Sequence, residues 1–444
     1  MQDFRRIADA LAADISAGRL RPGERLPPQR RFARRHRIAA STAARVYGEL
    51  VRRGLAVGEV GRGTFVRSRP APAEPALAEP GGARVDLELI FPLLDGQAEL
   101  LARSLTPLLA PRALAAALPP AGSAGTPAAR AAAARLLARA DWAPEPRGLL
   151  FAGSGRQAIA AAVSALVPAG ERLGVEELTY PVVKGIAERL GVEVVPLAMD
   201  EDGLLPDALR AAHRTTRLSA LYVQPALHNP LGTTMPAARR AELAAVLDEL
   251  ELPAVEDAVY SFLHDEPPLA ALAPERTTVV DSLSKRIAPG LTLGLLAPPP
   301  AQAGRLASAL RSGGWSPPRF ALDAAVQLLE DGTADALAAA KRADAAARQA
   351  RVRERLAGWA VHGDPRAYHC WWELPPPWRA ETFVAAAARR GIAVTPAAAF
   401  TAGSGRAPHA VRLALAAPPV GTLDEALRTL AALAAGSPED DGTE

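Results

Sequence analysis

Lysine is rare in this chain, and the position of Lys285 makes it the first candidate for chemistry. Of the 51 lysine and arginine residues among the 444, three are lysines: Lys184, Lys285 and Lys341. Lys285 lies in "DSLSKRIAPGL", residues 281–291. A primary amine can lose its proton and attack a carbonyl, which a guanidinium cannot do. We expect Lys184 and Lys341, which lie in helix-like stretches without such a motif, to be exposed.

Two further stretches offer groups suited to a phosphate. In "AGSGRQAIAAAVSAL", residues 152–166, a glycine-rich turn opens a predicted helix. Unpaired backbone N–H groups and the positive end of a helix favour a phosphate at such a turn, which makes Ser154, Gly155 and Arg156 candidates. Ser282, three residues before Lys285, is another. A glycine-rich turn alone is more often structural, so a phosphate site here requires the rest of the pattern.

Other residues suit a planar cofactor that carries an aldehyde. Tyr180 in "ELTYP" follows a predicted strand, and its ring could stack on the cofactor. Asn229 in "QPALHNPLG" and Tyr260 in "VEDAVYSF" could donate to a ring oxygen. Asp257, at the end of a predicted strand, could keep a ring nitrogen protonated so that the ring acts as an electron sink. Lys285 would hold the aldehyde as a Schiff base.

Arg412 in "HAVRLALA" could bind the carboxylate of an amino compound. Each of these residues also has an ordinary interpretation: a helix cap for Asp257, an ion pair for Arg412, a packing role for His228. Their order along the chain nevertheless resembles that of the fold type I aminotransferases, across residues 86–436. The resemblance implies pyridoxal 5'-phosphate as the cofactor, with Lys285 as the residue that forms the Schiff base.

The chain departs from that family at two positions. The family usually has "PGxRxG" after the lysine, and its arginine binds the cofactor phosphate, whereas "PGLTLG" here has Thr292. Arg286 or Arg156 could compensate. Where the family has a tyrosine lent by the partner subunit, near residues 120–130, this chain has Pro120. Both losses are expected to weaken phosphate binding. A bidentate charged contact contributes about 1.5–3 kcal/mol, so we expect the affinity for the cofactor to fall by about tenfold or more.

The elements that must position these residues alternate between strands and helices. Short apolar runs at 218–226, 252–259 and 277–284 predict strands, and the pattern at 235–251 predicts a helix. Alternation of this kind over some 350 residues predicts an α/β domain, with a mostly parallel sheet covered by helices on both faces.

The first 69 residues have a different character. They contain 16 arginines, no lysine and six acidic residues, a balance of +10 within a chain of net charge +3. Apolar spacing predicts a helix from Phe4 to Ile15, a second at 29–35, and a third at 41–54 that stops at Gly54. The pattern of residues 55–66 predicts a β-hairpin. Three helices and a hairpin describe a winged helix-turn-helix.

"GRLRPGERLPPQRRFA" and "GRGTFV" resemble the signature of GntR-type transcription regulators across residues 3–67. The resemblance implies that the third helix enters the major groove of DNA and that the hairpin tip reaches the minor groove. The candidate DNA contacts are Arg30, Ser41, Thr42, Arg45, Arg62 and Thr64. Ala39 and Ala40 replace the usual polar residue and arginine, so direct base readout is expected to be poorer. The alternative is that the arginines form a solvated face of a protein-interaction domain.

Composition sets the remaining boundaries. We predict a multidomain chain: a DNA-binding domain at 1–67, a proline-rich linker at 68–85, the aminotransferase-like domain at 86–436, and an acidic, disordered tail at 437–444. A single cysteine, Cys370, excludes an intrachain disulfide and favours a reducing compartment. The start lacks a signal-peptide pattern, and no long apolar run is present, so we expect a cytoplasmic protein without a membrane span or a metal site.

The combination resembles the MocR-type branch of the GntR regulators. It implies a homodimer that places two winged helices on double-stranded DNA, with a large domain that senses pyridoxal phosphate or an amino compound exchanging at Lys285. Two alternatives stay open. The chain could be an active class I/II aminotransferase with an appended DNA-binding domain, or its large domain could only dimerise and bind no cofactor.

Overall fold

The computed structural model describes residues 4–16, 19–20, 24–52, 55–59, 63–66, 83–403, 405 and 407–438. These residues form two compact units, one at the N-terminus and one that contains most of the residues from 83 onward. Arg62, Gly54, most of the predicted linker and residues 439–444 of the predicted tail lie outside the described residues. No helix in the described part of the chain is both long and apolar enough to cross a bilayer.

The N-terminal unit has three helices followed by a two-stranded antiparallel hairpin. Its elements are α1 Phe4–Ser16, α2 Gln29–His36, α3 Ala40–Arg52, β1 Ala56–Glu59 and β2 Gly63–Val66. The strands pair with Ala56 opposite Val66. The core contains Phe32, Val46 and Leu50, which are at most 2% exposed. The winged helix-turn-helix prediction is therefore confirmed, with helix bounds that differ by one or two residues.

The second unit contains two sheets and the helices that cover them. Its strands are β3 Val85–Leu87, β4 Leu150–Ala152, β5 Arg172–Glu176, β6 Glu193–Leu197, β7 Met199–Asp200, β8 Gly203–Leu204, β9 Ala220–Val223, β10 Ala254–Asp257, β11 Thr277–Ser282, β12 Gly294–Ala297, β13 Val361–His362, β14 His369–Glu373, β15 Ile392–Pro396 and β16 Ala410–Ala414. Its helices are α4 Gln97–Leu105, α5 Pro111–Ala117, α6 Pro127–Leu137, α7 Gly155–Leu166, α8 Pro181–Arg189, α9 Pro206–Thr215, α10 Ala237–Glu249, α11 Leu283–Arg286, α12 Pro300–Ser312, α13 Arg319–Glu330, α14 Thr333–Arg355, α15 Ala380–Arg389 and α16 Val420–Ala435.

The larger sheet has the strand order β4–β12–β11–β10–β9–β5–β6. Its pairs are parallel from β11 to β6, and β12 runs antiparallel to both of its neighbours. Successive residues of β4 point to opposite faces of the sheet: Leu150 belongs to the same core cluster as Ala158 of α7, and Phe151 to the same core cluster as Ala133 of α6. The sheet is thus covered on both faces, which confirms the predicted α/β architecture.

The smaller sheet has the strand order β13–β14–β16–β15–β3. It is antiparallel except where β3, near the start of the unit, joins β15 in parallel. Val85 pairs with Ile392, so the chain enters the sheet at the last residue assigned to the predicted linker. This pairing places residues 88–91, which follow β3, within reach of the C-terminal strand that carries Arg412.

Candidate functional sites

The candidate residues of the second unit converge at one edge of the larger sheet. Asp257 is the last residue of β10, Ser282 is the last residue of β11, and Gln224 follows β9 directly. Gly155 begins α7, three residues after the last residue of β4. Ligands of open α/β sheets bind outside the carboxyl ends of the strands, which is where these side chains lie.

The amine of Lys285 lies in a confined, partly buried position. Its Nζ donates a 2.6 Å hydrogen bond to the main-chain oxygen of Ile90 and lies 3.9 Å from the centre of the Phe91 ring. Burial, followed by the charges of Arg412 and Arg156, lowers the pKa of Lys285 to about 7. A substantial share of the amine is therefore neutral and nucleophilic at neutral pH, unlike that of an ordinary lysine.

Asp257 is buried and held by three donors. Its Oδ2 accepts from the Tyr222 hydroxyl at 2.6 Å and from Nε2 of Gln224 at 3.0 Å, and its Oδ1 accepts from the main-chain N–H of Val259 at 3.2 Å. Burial raises the pKa of Asp257 to about 6. The group is thus a carboxylate at neutral pH and is oriented to pair with a protonated ring nitrogen.

Sequence reasoning did not find Tyr222 and Gln224. Both lie in or directly after β9, in the stretch "LYVQP", beside the strand that ends at Asp257. The available signal was that a tyrosine and a glutamine end a strand next to a candidate carboxylate. Ile90 and Phe91 carried no such signal, because nothing in the sequence brings them to Lys285, which follows Ile90 by 195 residues.

Asn229 and Arg412 bind one another at the same edge. Nη1 of Arg412 donates to Oδ1 of Asn229 at 3.3 Å, and Nη2 donates to the Thr395 hydroxyl at 2.9 Å and to the main-chain oxygen of Glu88. The guanidinium is 5.2 Å from the Phe400 ring centre, and its Nε has no hydrogen-bond partner among the described residues. A buried arginine with an unused donor is suited to a carboxylate ligand.

Tyr260 and Tyr180 are the aromatic candidates. Tyr260 is 4% exposed, and burial raises the pKa of its phenol, so it stays a hydrogen-bond donor at neutral pH. Tyr180 occupies the N-cap position of α8, and its phenol hydrogen-bonds to Arg156. Burial raises the pKa of Tyr180, against the charge of Arg156. These phenols and Arg156 therefore belong to the same constellation as Lys285, whose pKa responds to the Arg156 charge.

A small cradle forms where α7 begins. Ser154 caps the helix by accepting from the N–H of Gln157 at 3.3 Å. A Cβ atom at Gly155 would lie 2.8 Å from Cβ of Ser282, so only glycine leaves this approach open. The Ser282 hydroxyl is 3.0 Å from the Thr292 hydroxyl and accepts from the N–H of Ser284 at 3.1 Å. A helix end, free of side-chain bulk and faced by hydroxyls, fits a phosphate.

The side chain of Arg286 is held by other residues of the chain. Its Nη2 donates to the Ser261 hydroxyl at 3.2 Å and lies 3.6 Å from Oδ2 of Asp281, and its guanidinium packs near the Phe262 ring. This buried pairing directs the charge of Arg286 to Asp281. That Arg286 or Arg156 compensates for Thr292 stays a prediction.

The expectation that Lys184 and Lys341 are exposed is wrong. Lys184 is half-buried, and its Nζ donates to the main-chain oxygens of Ala399 and Thr401 at 2.7 and 2.9 Å. Lys341 is 0% exposed. The helical sequence around each lysine predicted a side chain exposed to solvent. A compact ammonium can instead reach main-chain oxygens inside the fold, in positions that do not fit a planar guanidinium in the same way.

The N-terminal unit presents its candidate residues on its surface. Arg30, Ser41 and Arg45 are exposed, whereas Thr42 and Thr64 are half-buried. Ser41 and Arg45 are four residues apart in α3 and so share a face. The guanidinium of Arg45 also lies 4.1 Å from the centre of the Phe4 ring. Arg62 lies outside the described residues.

Further exposed basic residues surround the end of α2, and sequence reasoning did not single them out. They are Arg31, Arg34, Arg35, His36 and Arg37. The signal was present as the run "RRFARRHR", in which only Phe32 and Ala33 are buried. Ala39 and Ala40 are exposed at the start of α3, so these positions offer no hydrogen bond to a base edge.

Comparison with known proteins agrees with this geometry. Residues 116–430 match the family model of aminotransferase class I and II, and residues 4–66 match that of bacterial regulatory proteins of the gntR family. The uncharacterized HTH-type transcriptional regulator YdeF of Bacillus subtilis is 29% identical over 425 residues, which cover 95% of this chain and 91% of the relative. The vitamin B6 salvage pathway transcriptional repressor PtsJ of Salmonella typhimurium is 27% identical, over 69% of this chain and 70% of the relative.

Solved structures resemble the second unit. N-succinyldiaminopimelate aminotransferase from Mycobacterium tuberculosis has a TM-score of 0.68 and 27% identity, covering 79% of this chain and 94% of that chain. LysN from Thermus thermophilus, in complex with N-(5'-phosphopyridoxyl)-L-leucine, has a TM-score of 0.71 at 23% identity, over 79% and 92% of the two chains, and shows the fold alone. Pyridoxal phosphate is the cofactor that this fold implies, and the cradle at Gly155 fits its phosphate. The chain thus belongs to the aminotransferase class I and II family and joins that domain to a gntR-type helix-turn-helix, as the MocR-type regulators do.

Proposed function

We propose that this chain is a DNA-binding transcription regulator whose aminotransferase-like domain binds pyridoxal phosphate at Lys285 and responds to that cofactor or to an amino compound. The observation that carries the proposal is the amine of Lys285, whose pKa of about 7 makes it reactive at neutral pH. It occurs in a chain whose residues 4–66 match a family of regulatory proteins.

Different residues of the chain would bind different parts of the cofactor. Ser154, the N-terminus of α7 and Ser282 would bind the phosphate, assisted by Arg156. Asp257 would pair with the ring nitrogen, and Tyr260 and Asn229 would donate to the ring oxygen. When bound, the cofactor supplies an aldehyde that condenses reversibly with an amine and a ring that withdraws electrons.

Arg412 supports an amino acid, or another amine with a carboxylate, as the effector. Its buried guanidinium has a free Nε, and the partners of its Nη atoms are neutral oxygens of Asn229, Glu88 and Thr395. No carboxylate side chain hydrogen-bonds to Arg412 among the described residues. A charged acceptor on the ligand would therefore be the strongest partner of this group.

We further propose that the second unit forms a homodimer. Helix α13 packs against both α4 and α5, and large apolar side chains in or near these helices are exposed. They are Leu93, Leu109, Leu114, Leu118 and Phe320, of which Leu118 is 83% exposed. Exposed apolar side chains of this size favour burial against a second copy. Leu109→Asp combined with Leu118→Asp is expected to give a monomer in analytical ultracentrifugation, and an unchanged dimer would contradict this surface.

An active aminotransferase is the second candidate, because Lys285, Asp257 and Arg412 are together at one sheet edge. In that case the amine of Lys285 would also move protons on the substrate during each turnover. The measurement that separates the candidates is steady-state production of keto acid from a panel of amino donors. Sustained turnover favours the enzyme, and its absence together with DNA binding that depends on the effector favours the regulator.

The central test traps the cofactor and maps it. The full-length protein is incubated with pyridoxal phosphate, reduced with borohydride, digested and analysed by mass spectrometry. We expect the added mass on Lys285, its loss in Lys285→Ala, and its retention in Lys184→Ala. Footprinting of the DNA upstream of the protein's own coding region, with and without pyridoxal phosphate, should show protection that the cofactor alters. A mass on another lysine, or no protection at low salt, would overturn the proposal.

A further inference from the structure

Lys341 is a buried lysine that the proposed function does not use. It lies within α14 and is 0% exposed. Placing an amine with its charge away from water is costly unless hydrogen bonds compensate for the lost hydration. The chain otherwise uses arginine for nearly all of its positive charges. A lysine here therefore indicates a specific requirement for a compact amine.

The amine of Lys341 binds the main chain on which Lys285 is built. Its Nζ donates to the main-chain oxygen of Lys285 at 3.0 Å and to that of Ile287 at 2.7 Å. The Ile287 oxygen also accepts from Nε2 of Gln97 at 2.9 Å. These oxygens lie at the end of α11, a single turn whose last carbonyls have no following turn to bind them. Lys341 thus supplies the missing donors.

Hydrogen bonds consequently hold Lys285 both at its main chain and at the end of its side chain. Its main-chain oxygen is held by Lys341, and its Nζ is held by the oxygen of Ile90. We propose that Lys341 is a positioning residue for Lys285, which fixes the backbone from which the reactive amine extends and disfavours a second positive charge there. The reactivity of Lys285 that this inference assumes rests on the proposed function.

The charges around the two amines agree with this role. Lys341 is among the charges that lower the pKa of Lys285, after burial and the larger effects of Arg412 and Arg156, whereas Asp257 raises it. The pKa of Lys341 is itself lowered to about 7, by burial and then by Arg286, with Asp344 opposing. The Tyr368 hydroxyl donates to the main-chain oxygen of Lys341 at 2.8 Å. A neutral amine keeps two N–H donors, so both oxygens can remain bonded in either state of Lys341.

The test measures the reactivity of Lys285 without requiring the cofactor. Full-length protein is methylated with formaldehyde and cyanoborohydride across pH 5.5–9, and the methylated fraction of Lys285 is read by peptide mass spectrometry. In Lys341→Met we expect the midpoint to move up by about half a pH unit, or about threefold less neutral amine below the midpoint, because a nearby positive charge is lost. The rate at the high-pH plateau should also fall severalfold because the main chain is no longer held.

Lys184→Met is the matched control, since Lys184 also donates to two main-chain oxygens but lies away from α11. It should leave both the midpoint and the plateau unchanged. The inference is overturned if Lys341→Met has the wild-type profile, or if Lys184→Met changes the profile equally. Should Lys341→Met fail to show a cooperative thermal transition, Lys341→Gln is judged by the same criteria. If pyridoxal phosphate tags no lysine of the wild type, the proposed function fails, while the methylation profile still decides the role of Lys341.

Discussion

The Tyr222 hydroxyl donates a 2.6 Å hydrogen bond to Oδ2 of Asp257, inside the sheet and at the end of β10. The bond joins two adjacent strands and favours the ionised form of a carboxyl whose pKa burial raises to about 6. Asp257 carries a charge only above that pH, so its pairing with a protonated ring nitrogen should fail as the pH falls through about 6.

Tyr222→Phe is expected to move this transition to higher pH, because it removes a hydrogen bond that lowers the pKa of Asp257. A loss of about 1 kcal/mol corresponds to a shift of roughly 0.7 pH unit. The measurement is the cofactor retained after gel filtration as a function of pH. Asp257→Asn should bind weakly at every pH, and a Tyr222→Phe profile that overlays the wild type would contradict the role given to this bond.

The same carboxyl affects folding in the opposite direction. Its folded pKa lies above the ordinary value of 3.8, so the folded state holds this proton more tightly than the unfolded state does. Its contribution to stability is therefore complete below about pH 3.8 and is lost as the pH rises through about 6. Asp257→Asn should flatten the dependence of the free energy of unfolding on pH in this interval, as measured by urea titration.

Gly155 tests the phosphate cradle. In Gly155→Ala the new Cβ would meet the Cβ of Ser282 at 2.8 Å, and neither atom can move by rotating a side chain. Such overpacking costs about 1–3 kcal/mol, and the cradle should also lose affinity for inorganic phosphate and for the cofactor. The measurements are the thermal midpoint and the binding isotherm.

Gly185→Ala is the matched control for that variant. Gly185 lies within α8, and a Cβ added there would meet no atom within 4 Å. Alanine favours a helix over glycine by about 1 kcal/mol, so this variant should be slightly more stable than the wild type and bind the cofactor equally well. A Gly155→Ala protein that behaved like Gly185→Ala would disprove the steric argument.

Arg412→Gln should separate carboxylate recognition from cofactor binding. We expect the response to amino acids, measured as a change in the absorbance of the bound cofactor, to require at least about tenfold higher concentrations. The response to a simple amine without a carboxylate should change little, which serves as the internal control. Equal losses for both ligands would mean that Arg412 only supports the fold through Asn229 and Thr395.

Arg30 and Arg45 should behave differently although both are exposed. Each Arg→Ala variant is expected to reduce by about one the slope of log affinity for DNA against log salt, because one phosphate contact is lost. Arg45→Ala should in addition lower the stability of the N-terminal unit by about 0.5–1 kcal/mol, since the contact with the Phe4 ring is removed. Binding isotherms at several salt concentrations and thermal melts check both expectations. Unchanged slopes for both variants would remove these arginines from the DNA contact.

The sequence by itself determined the order of elements and the identity of most candidate residues. Apolar periodicity and turn residues depend on neighbours in the chain, so they predicted the three N-terminal helices, the hairpin and the strands that end at Asp257 and Ser282. The sequence also identified Lys285, because the serine before this lysine and the proline-glycine pair after it are close to it in the chain.

Only the tertiary structure decided which distant groups control those residues. Lys285 is bound by the oxygen of Ile90, Asp257 by Tyr222 and Gln224, and the main chain of Lys285 by Lys341. These contacts arise from strand order and helix packing, which join positions far apart in the chain. The same packing places Lys341 in the interior and directs Arg286 to Asp281, because burial depends on which elements meet and not on the pattern of a single helix.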